Sequence, residues 1–208
     1  MLTDLSRARL TRRLWAQTAL ATAWAVAGPA RSASADPAGA DALALLRRGG
    51  AGLVVVMRHA SAPGTFDPPG FRLGDCSTQR NLGDAGRAQA RGIGAWYRER
   101  GLVPAAVRSS EWCRCRDTAA LAFGTVQAWP ALNSVIGEAA PRAAQTAALR
   151  AELARQAAAN AAGFEVWVTH QVNISELAGT FADSGEAVLL RHDRASGAPV
   201  VLAGLRIG

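Results

Sequence analysis

The sequence predicts an α/β protein, a three-layer α/β/α sandwich around a largely parallel central sheet. Three observations point to it. Apolar runs of strand length recur at 53–57, 103–109 and 164–169. Stretches with helical spacing separate them, the alternation expected of βαβ units. Two of the runs end abruptly on a histidine, His59 and His170.

Taken in order, Asp41 to Arg48 reads as a short helix with Leu43, Leu45 and Leu46 on its apolar side, closed by Gly49-Gly50. Leu53 to Met57 is β-branched and continuous, a strand buried on both faces. Residues 60 to 80, rich in Gly and Pro, form a loop long enough to expect a functional role. Leu82 to Arg100 has helical spacing, with Ala90, Ile93, Gly94 and Tyr97 on one side and Gly101 as the stop. Val103 to Ser109 is a second strand, and Arg114 to Phe123 the helix after it. Pro141 to Ala162 is an Ala-rich helix anchored by Leu149 and Leu153. Phe164 to Thr169 is the third strand, followed by a short helix from Ile174 to Thr180. Glu186 to Arg191 and Val200 to Leu205 complete the sheet as a hairpin through Ser196-Gly197. No internal repeat and no second folded domain is evident.

Half of the 208 residues are hydrophobic and 19% are charged, which excludes a disordered chain. The chain contains no lysine, so Schiff-base and P-loop chemistry are excluded. The net charge of +7 divides unevenly. Residues 1–35 hold five arginines against Asp4, and the remainder holds 18 arginines against 15 acidic groups. Nucleic acid is therefore not an expected partner. The basic start has the form of an export signal, with Arg12-Arg13 suited to the twin-arginine route. An apolar run to Ala27 follows, then Ala33-Ser34-Ala35 as a cleavage site before Asp36. The alternative is an uncleaved anchor helix, for which the apolar run is short. The expected organisation is a signal at 1–35 and a single domain at 36–208, working in the periplasm or secreted, with no membrane span once the signal is removed. In an oxidising compartment Cys76 pairs with Cys113 or with Cys115, leaving one thiol. A Cys113-x-Cys115 metal or thiol-redox site is the alternative reading of the same residues.

In open α/β sheets ligands bind beyond the carboxyl ends of strands, so His59 and His170 are expected to share one crevice. Arg58 stands beside the first, and Arg114 opens a helix whose N-terminus also favours anions. No carboxylate occurs in these motifs. Two imidazoles and two guanidiniums describe an anion pocket, for which phosphate is the natural guest. Arg116 is the other candidate ligand, His192 reads as a solvated turn residue, and Trp112 and Trp129 read as packing, with substrate stacking the alternative for Trp112 because it is close to Arg114.

These residues resemble the histidine phosphatase superfamily, whose fold is that of phosphoglycerate mutase. Its strand followed by Arg-His-Gly looks like Val54-Val55-Val56-Met57-Arg58-His59-Ala60. Its leucine-x-x-x-glycine-x-x-glutamine-alanine helix looks like Leu82 to Ala90. Its serine-serine, arginine, threonine-alanine segment is similar to Ser109-Ser110, Arg114 and Thr118-Ala119. Its late strand and histidine look like Val166 to His170. The resemblance spans residues 53 to 190. It implies a phosphatase without metal or other cofactor. His59 would be the nucleophile, forming a phosphohistidine; Arg58 and Arg114 would hold the phosphoryl oxygens, and a protonated His170 would donate to them. Short exported members resemble lipopolysaccharide-core heptose phosphate phosphatases, so the expected partner is a small phosphorylated substrate or an envelope phosphoryl group.

The sequence departs from the family at three points. Ala60 replaces a glycine, which is tolerable where the backbone is not left-handed. Ser134 follows Leu132-Asn133 where many members carry a glutamate acid, and Gln171 follows His170 where another branch carries aspartate. Glu138, Asp67, Asp75 and Glu111 remain as candidate acids. A phosphomutase is the weaker enzymatic expectation, and a non-catalytic phosphate or sugar-phosphate binding module is the alternative.

Overall fold

A computed structural model describes residues 37–134, 139–160 and 162–207. The leader and Glu138 lie outside the described residues. The elements are α1 (Pro37–Arg48), β1 (Val54–Arg58), α2 (Asp84–Glu99), β2 (Ala106–Ser109), α3 (Cys113–Phe123), β3 (Gln127–Ala128), α4 (Ala139–Ala159), β4 (Glu165–Thr169), α5 (Gln171–Ala178), β5 (Ala187–Asp193) and β6 (Ala198–Leu205). All lie in one compact unit. The order of strands is β3-β2-β4-β1-β5-β6; the first four are parallel, and β5 and β6 form an antiparallel hairpin.

Side chains alternate between the two faces of this sheet, as a pleated strand requires. Val55 and Met57 of β1, with Val166 and Val168 of β4, face a layer formed by α1, α2 and α3 through residues such as Leu46, Ile93, Tyr97 and Ala119. Val54, Val56 and Trp167 face Leu149 and Leu153 of α4 and Ile174 of α5. The result is the expected three-layer sandwich. The strand β3 between α3 and α4 is too short and too exposed to leave an apolar signal in the sequence.

Register brings the two histidines together. Arg58 at the end of β1 pairs with Thr169 at the end of β4, so the next residue of each strand is His59 or His170. After β1 the chain turns to α2 on one face, and after β4 to α5 on the other. The crevice opens where these directions diverge.

Candidate active site

The crevice is a cleft of about 550 Å³ lined by Arg58, His59, Arg80, Arg114 and His170 at its polar end. His59 is buried, and the segment carrying it is held from three sides. Its N–H donates to the Thr169 carbonyl, and the Ala60 N–H donates to Thr118 Oγ1, which itself donates to the Arg114 carbonyl. The helix α2 supports the next residue: Gly86 passes so close to Ser61 that an added Cβ would lie 1.8 Å from its carbonyl oxygen. Gln89 Oε1 accepts from the Ser61 N–H. The Leu82–Ala90 and Thr118-Ala119 motifs therefore act by fixing the backbone around His59. Ala60 lies outside the left-handed region, so no glycine is needed there.

His59 Nδ1 lies 2.7 Å from the Ala60 carbonyl, which can only accept, so the proton is on Nδ1 and the lone pair on Nε2. Arg114 Nε donates to that Nε2 at 3.2 Å. Burial, opposed by the bond to Ala60 and reinforced by the charges of Arg114, Arg80 and Arg58, lowers the His59 pKa to about 3. The imidazole is thus neutral at ordinary pH and presents a nucleophilic nitrogen.

His170 stands with its ring centroid 5.6 Å from that of His59. Burial first, then Arg114, holds its pKa well below the usual imidazole range. Its Nδ1 lies 3.5 Å from Arg114 Nη2, a group that only donates, and its Nε2 lies 2.9 Å from Ser110 Oγ. The Ser110 hydroxyl donates to Asn133 Oδ1, so the His170 proton sits on Nε2 and a lone pair faces Arg114. In this state a buried imidazole beside a guanidinium is neutral, and the expectation of a protonated His170 concerns the state with a phosphoryl group bound.

The motifs hold no carboxylate, but Asp67, a candidate acid from the 60–80 loop, does reach the cleft and pairs with Arg114 Nη1 at 2.9 and 3.1 Å. Trp112 Nε1 and the Arg80 N–H also donate to Asp67. Burial raises its pKa, but these donors and the charge of Arg114 outweigh burial and leave it lowered. The same loop supplies Arg80, a third guanidinium that the motif reading passed over. It stands two residues before Leu82, and its position directly ahead of the matched helix is the one sequence signal for it. Arg116 is exposed and outside the cleft lining, whereas Arg114 is buried within it.

Cys76 and Cys113 form a disulfide that ties the loop to the first turn of α3. Cys113 is thereby unavailable to a Cys113-x-Cys115 pair. Cys115 is a buried thiol near His170, and burial pushes its pKa up to about 12. Trp112 packs as expected but also forms a wall of the cleft. Ser134 lines the cleft, and of the candidate acids Asp67 also does. Asp75 caps the Cys76–Thr78 turn, and Glu111 accepts from Asn133 Nδ2.

Three donors on the cleft lining have buried atoms with no partner among the described residues: Arg58 Nε, Arg80 Nε and Ser134 Oγ. Buried donors in a native site call for an acceptor.

The fold is phosphoglycerate mutase-like. Solved structures share it at low sequence identity. The protein histidine phosphatase SixA complexed with tungstate is 16% identical with a TM-score of 0.50, over 74% of this chain and 96% of that one. A phosphoserine phosphatase from Entamoeba histolytica, in complex with 3-phosphoglyceric acid, is 14% identical with a TM-score of 0.55, over 74% and 96%. The product of an open reading frame of Mycobacterium tuberculosis is 17% identical with a TM-score of 0.55, over 75% and 98%. No protein-family model matches the chain, and a search of curated proteins finds no match. Among the described residues no helix is long and apolar enough to cross a membrane.

Proposed function

We propose that the protein is an exported, metal-independent phosphatase that cleaves a phosphate monoester through a phosphohistidine on His59. One observation carries the reading. A neutral, Nδ1-protonated imidazole presents Nε2 to three guanidiniums, and the buried Nε atoms of Arg58 and Arg80 have no partner among the described residues. The structural likeness to a protein histidine phosphatase supports it.

In this reading the phosphoryl oxygens draw Arg114 Nε away from His59 Nε2, freeing the lone pair. The N–P bond forms as the ester P–O bond breaks, and the departing oxygen takes a proton from solvent. Water then attacks phosphorus, the N–P bond breaks, and inorganic phosphate leaves with His59 restored. Arg58, Arg80 and Arg114 balance the charge on the equatorial oxygens throughout. A bound dianion raises the proton affinity of His170, which then donates where it now presents a lone pair.

The test is hydrolysis of p-nitrophenyl phosphate with EDTA present, by the wild type and His59→Ala. The expected result is turnover that resists EDTA and disappears in the variant, with acid-labile, alkali-stable labelled phosphate trapped on the wild type. Folded protein that binds phosphate without turning it over would make this a binding module.

A further inference from the structure

Three of the chain's five phenylalanines stand in solvent around the mouth of the cleft. Phe66 is 73% exposed and Phe71 38% exposed, and both line it. Phe181, 64% exposed, lies 5.8 Å by ring centroid from the Arg58 guanidinium. The other two belong to the interior: Phe164 is buried and Phe123 packs against the core. Exposed rings are therefore concentrated where the guanidiniums are. They also connect inward. Phe71 tilts against Trp112 at 5.6 Å, and Trp112 meets the His170 ring edge-on at 5.3 Å. Aromatic surface runs from the rim to the imidazole floor.

We infer that the site is built for a phosphate monoester of an aromatic alcohol, with the phosphoryl group on the guanidiniums and the aryl ring against the phenylalanines of the rim. This rests on the phosphatase reading and names its substrate class. Aromatic faces and edges at the rim pair well with a further ring, in offset or T-shaped contact. A polar sugar alcohol gains nothing from them. A lipid tail needs a long apolar groove, whereas here Arg58 and Arg80 line the same cleft as the rings. The leaving-group chemistry agrees. The carboxyl among the described lining residues, Asp67, is engaged by Arg114, Trp112 and the Arg80 N–H. As the N–P bond forms on His59, the aryl oxygen leaves as a phenolate and is protonated by water. That departure depends on a general acid far less than loss of an alkoxide does.

The experiment compares inhibition of the purified protein by phenylphosphonate, octylphosphonate and methylphosphonate, which cannot be hydrolysed at the P–C bond. It also follows turnover of phenyl phosphate and glycerol 2-phosphate. Phenylphosphonate is expected to bind about tenfold more tightly than methylphosphonate. In Phe66→Ala/Phe71→Ala that advantage shrinks to about threefold or less, with methylphosphonate unaffected. These substitutions are at exposed positions and leave the core intact. Equal binding of the two, or turnover of both esters with no response to the variant, overturns the inference while the phosphatase reading stands. Octylphosphonate binding about tenfold more tightly than phenylphosphonate overturns it in favour of a lipid alcohol. No turnover of either ester, with the phenylphosphonate preference intact, overturns the phosphatase reading and leaves the recognition standing.

Discussion

The floor of the cleft and its loop wall are held in different ways. On the floor, His59 and His170 continue paired parallel strands, and their separation follows from the register of β1 with β4. The wall, residues 60 to 83, has one short helical turn and otherwise irregular backbone. Individual links hold it: the Cys76–Cys113 disulfide, Asp67 to Arg114, Arg80 to the Ala62 carbonyl, and Gln79 Oε1 accepting from the Cys113 N–H. A sheet sets distances to a fraction of an ångström, which bond-making chemistry requires. A tethered loop can change its side chains without moving the nucleophile. The difference assigns chemistry to the floor and recognition to the wall.

Arg114 joins the two, reaching His59 and His170 with Nε and Nη2 and Asp67 with Nη1. Arg114→Lys keeps a positive charge but cannot make these contacts together. The expected loss in kcat/KM is about 10³-fold. A thermal melt would show whether the variant stays folded. Retained activity would mean that charge alone, rather than the fork of donors, serves the reaction.

Removing the disulfide attacks the wall alone. Cys76→Ser/Cys113→Ser opens a link across 37 residues, and the expected loss of stability is about 2–4 kcal/mol, read from denaturant unfolding. KM should rise several-fold more than kcat falls, because Arg80 and Asp67 lose their anchor while the strand ends do not move. An equal fall in both parameters would mean that the floor depends on the loop.

The floor was the readable part of this sequence for the same reason that it is rigid. An apolar run marks a strand, and the residue after it lies at the carboxyl edge, so Arg58, His59 and His170 could be placed from local pattern. The wall has no period. Asp67 and Arg114 are 47 residues apart, and their pairing depends on where an irregular loop folds back. The cysteine choice was open because Cys113 and Cys115 lie on different sides of α3. The one facing the loop is decided by a helix start that pattern places only to within a residue or two. The neutrality of His170 depends on burial by several elements at once, which no motif records.

Acid should act on the floor first. His59 titrates near 3 in the folded chain and near 6.5 when unfolded, so between these values the unfolded state binds the additional proton. Stability is therefore full above 6.5 and falls as the pH drops toward 3, by up to about 1.4 kcal/mol per unit from His59 alone. Lowering the pH from 6.5 to 5 should cost about 2 kcal/mol in urea unfolding. His59→Asn should remove its share of the slope and leave that of His170, and Cys76→Ser/Cys113→Ser should leave the slope unchanged. A slope that survives His59→Asn in full would transfer the titration to His170, whose shift has the same sign.

The smallest expected effect separates two roles for Asp67. If it orients Arg114 through Nη1, Asp67→Asn keeps one oxygen acceptor and removes a negative charge from an anion pocket. Inorganic phosphate should then inhibit at a concentration about two- to fivefold lower, with kcat reduced by no more than about fivefold. If Asp67 were the general acid, the same variant would lose about 10²-fold or more in kcat. That loss would fall on alkyl esters and spare p-nitrophenyl phosphate, whose leaving group needs no proton. The lowered pKa of Asp67 and the four hydrogen bonds it accepts favour the first outcome, since a carboxylate so engaged has no proton to give. Asp67 would then be the means by which the wall sets the angle of a guanidinium that works on the floor.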